Sequence, residues 1–170
     1  APEVIDELHN PMDLPQKGTR ELTAEDFVYS IKRMANPRII APVYGTMVNY
    51  LPGLKDFAVQ VRAEDKRLRA DLKPSDRDLP FLDLRKFELK GVSAPDKYTL
   101  RLEVKGKYPQ FPNWLAMTFF APVPWEAEAF YAQKGMAKNN LSLNYWPVGT
   151  GPYMLVESIE KRKHVMERNP

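Results

Sequence analysis

The sequence predicts an α+β fold with helices packed on antiparallel hairpins, and three stretches carry that prediction. "LTAEDFVYSIKRMANP" repeats apolar residues at helical spacing, "DKYTLRLEVKG" alternates apolar and polar with period two, and "PYMLVESIEKRKHVMERNP" alternates on both sides of a charged turn.

In the first stretch Thr23 stands where a helix cap belongs, with Asp26 three residues on in place of the commoner glutamate. Glu25 and Asp26 suit the positive end of the helix dipole, and Lys32 and Arg33 the negative end. Phe27, Val28, Ile31, Met34 and Ala35 share one face, and Asn36-Pro37 stops the helix because proline disfavours helical geometry in the residue before it. A second helix is expected from Gly53 to Leu72, with Leu54, Phe57, Ala58 and Val61 as its stripe. Its continuation, "RAEDKRLRADLK", mixes both signs of charge and reads as a solvated face rather than a nucleic-acid footprint. "KPSDRDLPFLD" reads as an exposed loop.

The segment Phe87 to Lys105 predicts a hairpin turning at "SAPDK", with Phe87, Leu89, Val92, Tyr98, Leu100, Leu102 and Val104 facing a core and Arg101 and Glu103 facing solvent. A short helix from Gln110 to Ala116, a proline-rich crossing, and a helix from Trp125 to Gln133 with Gly135 near its end come next. The last hairpin pairs Tyr153–Ser158 with His164–Arg168, and Tyr153, Leu155 and Val165 are expected on one apolar face.

A chain of 170 residues with 44% apolar and 11% aromatic content can bury a real core. Twenty-five basic and 22 acidic residues leave a formal charge of +3, too balanced to ask for nucleic acid or a membrane surface. The absence of cysteine excludes disulfides, thiolate metal sites and thiol catalysis. No charged leader with an apolar core and no apolar run of membrane-spanning length occurs, so the chain reads as soluble, with any export signal outside it. Both ends read as cut.

Catalytic constellations are thin. His9 and His164 have no partner spacing for a metal or a triad, and there is no nucleophile elbow, Walker loop or HExxH. The two glycines of "VGTGPY" suggest a phosphate cradle, but the loop lacks the neighbouring lysine, and a proline and a strand follow instead of a helix N-terminus. Gly149, Thr150, Gly151, Pro152 and Tyr153 then read as a structural loop, the glycines letting the backbone turn tightly and Pro152 setting up the strand. A ligand-facing loop is the alternative. No catalytic residue, metal or cofactor is expected.

Together "LTAEDFVYSIKRMANP", "LKGVSAPDKYTLRLEVKGKYPQFPNWLA", "APVPWEA" and "VGTGPYMLVESIEKRKHVMERNP", in this order, resemble the central part of the extracellular solute-binding proteins of the oligopeptide, dipeptide and nickel group, family 5, which serve ABC importers. The resemblance runs from Arg20 to Pro170 and departs at "KGTREL", where many relatives have an Asp-Gly turn entering the same helix.

This resemblance implies a partial lobe of a two-lobed periplasmic binding protein. Residues 1–20 would be a poorly ordered lead-in, 21–124 an inserted α+β subdomain of the first lobe, and 125–170 the return into that lobe's main sheet. It implies a periplasmic or cell-surface protein that performs no reaction, captures a peptide or similar small solute between lobes, and delivers it to ABC permease subunits. Tyr44, Met117 and Phe119 match the segments from which relatives contact ligand, although Met117 and Phe119 also suit a core. The other reading is an enzyme or nucleic-acid module that shares local motifs only.

Overall fold

Thr23 begins the first helix as its residue type requires: its N–H donates to the Asp26 carboxylate at 3.0 Å, the acidic half of a capping box. In this computed structural model, which describes residues 20–73, 75–159 and 161–169, the helix α1 spans Ala24–Arg33. His9 and nearly all of the expected lead-in lie outside the described residues. The chain divides into two units, one made of residues 21–72 with 82–123, the other of 73–81 with 124–170 and the start of the chain.

The first unit is built round α1. Val28, Ile31, Met34 and Ala35 are buried as the periodicity requires, and Phe27 is half-buried. Ala24, Tyr29 and Ser30 are buried too, so α1 is covered on more than one stripe. The Ser30 hydroxyl donates to the Ala121 carbonyl at 2.5 Å, and the Ala24 N–H donates to the Lys97 carbonyl at 2.9 Å. The helix start, with its orphan donors, is thus closed by a turn far along the chain.

A short helix α2, Tyr44–Tyr50, follows in a segment for which the sequence predicts no element. Val43, Met47 and Leu51, four residues apart, are all buried and hold it. Helix α3 spans Leu54–Leu68 and buries Leu54, Phe57, Ala58 and Val61 as expected. It ends one turn before Leu72, because Ala70 and Leu72 bond back three residues to Arg67 and Arg69 in tightened turns. Gly53, at φ 79°, opens it. Beside it, a Cβ on Gly91 would stand 2.7 Å from Pro52 Cδ, and the Gly91 N–H donates to the Pro52 carbonyl at 3.0 Å.

Strands β1, Val92–Asp96, and β2, Thr99–Leu102, pair antiparallel, Val92 opposite Leu102, with a bulge between Ser93 and Asp96. Leu89 and Val92 are buried; Phe87, Leu100, Leu102 and Val104 are half-buried, and Arg101 and Glu103 are exposed, as the alternation predicts. Tyr98 departs from it at 68% exposed: it sits in the turn, where period two no longer applies, and its hydroxyl donates to Glu21. The paired region is also shorter than Phe87–Lys105; Phe87 precedes it and meets Phe57 edge-on at 6.4 Å. Helix α4, Phe111–Leu115, adds Phe111 to the core, and Tyr108 beside it stacks on Tyr50 at 4.2 Å.

In the second unit, α5 spans Trp125–Tyr131, with Ala127 and Phe130 buried. Gly135, at φ 92°, follows it and donates its N–H to the Asp78 carboxylate at 2.9 Å. Phe81 packs against Trp125 at 6.4 Å. The described residues of the stretch 73–83 form no helix or strand and are mostly exposed or half-buried, as the composition predicts, but the loop is fastened at Asp78 and Phe81, and Leu82 is buried.

Strands β3, Tyr153–Ile159, and β4, Lys163–Arg168, form the terminal hairpin, and none of their residues is buried. A bulge between Leu155 and Glu157 re-aims the chain. Leu155 lies opposite Met166 and Glu157 opposite Val165, so Val165 stands on the other face from Tyr153 and Leu155. The single apolar face expected of these three is split. Both units are mixed helix and antiparallel hairpin, the α+β class that the sequence predicts.

Candidate functional site

Tyr44 is the first residue of α2 and is half-buried. With Met34, Pro37, Ile39, Ala41 and Arg62 it lines a shallow depression of about 140 Å³ on the first unit. Met117 and Phe119 lie beyond α4, around a one-turn 3-10 helix, Thr118–Phe120. That turn sends Phe120 into the core at 4% exposure and leaves Met117 and Phe119 out at 45% and 42%. Neither is a core residue in this unit. Leu115, 42% exposed, continues the row. What this row and Tyr44 offer is aromatic and apolar contact to something outside the unit.

The loop 149–153 is held differently from the sequence expectation. Neither Gly149 nor Gly151 adopts positive φ, and a Cβ on Gly149 would meet nothing within 4 Å. The loop is instead tied to the far end of β4. The Asn169 N–H donates to the Pro152 carbonyl and its Nδ2 to the Gly151 carbonyl, both at 2.9 Å.

Titratable groups make local pairs. Hydrogen bonds from Lys97 first, then Tyr98, hold the Glu21 carboxyl below its ordinary range, and Lys97 lies 5.2 Å over the Tyr98 ring. Lys32, whose ammonium lies 5.9 Å from the Phe57 ring centre, has its pKa lowered by burial. Tyr131 is pushed up to about 12 by burial, and its hydroxyl donates to the Trp146 carbonyl at 2.9 Å. His164 Nδ1, on an exposed side chain, lies 3.1 Å from the hydroxyl of Ser158, its cross-strand neighbour. Among the described residues, no three His, Cys, Asp or Glu side chains cluster closely enough to hold a metal.

One group escaped the sequence reading. Asp65, inside the run read as a solvated face, is 8% exposed and bonds Arg38 at 2.6 Å and Arg69 at 2.9 Å. The signal was present: Asp65 falls four residues after Val61, on the buried stripe of α3.

Residues 17–170 match the family model described as bacterial extracellular solute-binding proteins, family 5, middle part. The chain belongs to this family. It is 27% identical over 151 residues to the periplasmic oligopeptide-binding protein OppA of Escherichia coli K12, covering 88% of this chain and 22% of that protein. It is 26% identical over 151 residues, with the same coverage, to OppA of Salmonella typhimurium LT2. The chain thus spans about a fifth of the length of these relatives.

Proposed function

We propose that this chain is the central part of a periplasmic or cell-surface binding protein that captures peptides or a similar small solute and hands it to ABC permease subunits, without catalysing a reaction. The family 5 match over residues 17–170 carries the reading, supported by two relatives named as periplasmic oligopeptide-binding proteins. In this reading residues 21–124 form an inserted subdomain and 125–170 return to the main sheet of the first lobe. Tyr44, Met117 and Phe119 contact ligand from this side, and the 149–153 loop is structural. The exposure of Met117 and Phe119 favours contact over core packing.

Native mass spectrometry of the full-length protein is the test. The expected result is a co-purified peptide or small solute, displaced by added peptide. A Met117→Ala, Phe119→Ala double variant is expected to weaken capture by about tenfold, as the loss of two apolar contacts would. An empty protein that ignores a mixed peptide library, or one that turns over its ligand, would overturn the reading.

A further inference from the structure

The row that carries Met117 and Phe119 is placed by its neighbours, not by its own packing. Every residue from Leu115 to Phe119 is exposed. Helix α4 before it has five residues, too few to hold a helical form without tertiary contacts. Phe111 anchors the start of α4 in the core, and Phe120 anchors the chain beyond the row. Between these anchors lies one side-chain bond: the half-buried Trp114 donates its indole N–H to the Tyr108 hydroxyl at 2.7 Å.

Tyr108 stands between two elements. Its ring stacks on Tyr50, the last residue of α2, at 4.2 Å and 13°, and meets Phe111 of α4 edge-on at 6.3 Å. The Tyr50 carbonyl is held in turn by the Lys105 N–H at 2.8 Å. From Trp114 the bonding runs on into the row. Its carbonyl accepts the Met117 N–H, and the Met117 carbonyl accepts the Phe120 N–H, both at 3.0 Å. An indole N–H can only donate, so removing the hydroxyl leaves it without that acceptor. A half-buried donor without a partner favours turning toward water, and α4 would turn with it.

We propose that Tyr108 is a positioning residue for ligand capture, acting through Trp114 on Met117 and Phe119. Its hydroxyl fixes where the row stands. The inference rests on the reading of Met117 and Phe119 as ligand contacts. Contacts held in one arrangement before binding cost less to order, and apparent affinity falls with the fraction of molecules whose row stands elsewhere.

The test uses the full-length protein with Tyr108→Phe, which keeps both ring contacts and removes the hydroxyl, and with Trp114→Phe, which removes the donor. Without ligand, amides of residues 115–120 are expected to exchange about two- to tenfold faster in either variant, as loss of one hydrogen bond would give, with α1 amides unchanged. The two substitutions together should do little more than one, since they break the same bond. Calorimetry with a mixed tripeptide library then reads capture. Tyr108→Phe should weaken it about two- to fivefold in the wild-type background and less than about twofold in a Met117→Ala, Phe119→Ala background, whereas a general loss of stability would act in both. Unchanged exchange at 115–120 in Tyr108→Phe, faster exchange that extends to α1, additive effects of the two substitutions, or equal weakening in both backgrounds would each overturn the proposal. A wild type that captures no peptide overturns the binding reading instead, and the exchange comparison decides by itself whether Tyr108 holds the row.

Discussion

Helix α1 and the β3–β4 hairpin were equally plain in the sequence, and they end in opposite circumstances. Six of the ten residues of α1 are buried, whereas none of those in β3 and β4 is, and Tyr153 and Met166 are exposed at 65% and 62%. Periodicity reports that a segment has two faces; it does not report what covers them. For α1 the cover is close by, in β1, β2 and Phe120. For the hairpin the described residues supply pairing between its own two strands and little more.

Amide exchange should show the contrast at its largest. Opening free energies run from near zero at loosely held segments to the global value, about 5–15 kcal/mol. Amides of α1 are expected near the top of that range and those of 153–168 near the bottom. Equal protection in a monomeric sample of the 170-residue chain would mean that the hairpin is covered after all.

Truncation should follow the same order. Phe57, 1% exposed, lies between Lys32 and Phe87, and Phe57→Ala is expected to cost about 3–5 kcal/mol in urea denaturation. Leu155→Ala, on the half-buried strand, should cost below about 1 kcal/mol. Comparable losses would erase the distinction between the two regions.

Two glycines repeat the comparison on a smaller scale. Gly91→Ala forces a Cβ to 2.7 Å from Pro52 and should destabilise by about 1–3 kcal/mol. Gly149→Ala meets open space without positive φ, so it should be neutral or stabilise by up to about 1 kcal/mol through the unfolded chain. Thermal midpoints of the two variants decide this, and a larger loss at Gly149 would reinstate the tight-turn role.

The smallest effect is expected from acid. The carboxyls of Glu21, Asp83 and Asp96 are lowered chiefly by hydrogen bonds from Lys97, Arg85 and the Tyr98 N–H, respectively. A carboxyl lowered in the folded state contributes stability above its unfolded pKa and loses it as pH falls through the folded one. The first unit should therefore weaken slightly from about pH 4 downward, and Glu21→Gln should flatten part of that slope. An unchanged slope in Glu21→Gln would show that the Lys97 and Tyr98 contacts do not persist in solution.

The parts legible in the sequence were those set by local repetition: α1, the stripe of α3, and Leu100, Leu102 and Val104 on the hairpin. Helix α2 was hidden because it makes only two turns and contains Gly45, so its Val43, Met47, Leu51 spacing was outweighed. The fastening of Asp78 to the Gly135 N–H joins residues 57 apart, which no local pattern announces. The candidate contacts Tyr44, Met117 and Phe119 came from resemblance alone. Which of Met117, Phe119 and Phe120 turns inward depends on a single 3-10 turn, and composition cannot specify it.

The bond from the Ala24 N–H to the Lys97 carbonyl also sets an order of events in time. On the ribosome, which adds roughly 5–20 residues per second, Lys97 emerges roughly 4–15 s after Ala24. During that interval the body of α1 can form, while its first free amide faces water or whatever meets the nascent chain. The helix that organises the first unit thus precedes the other described elements of that unit along the chain, and its first turn is closed only when the β1–β2 turn arrives.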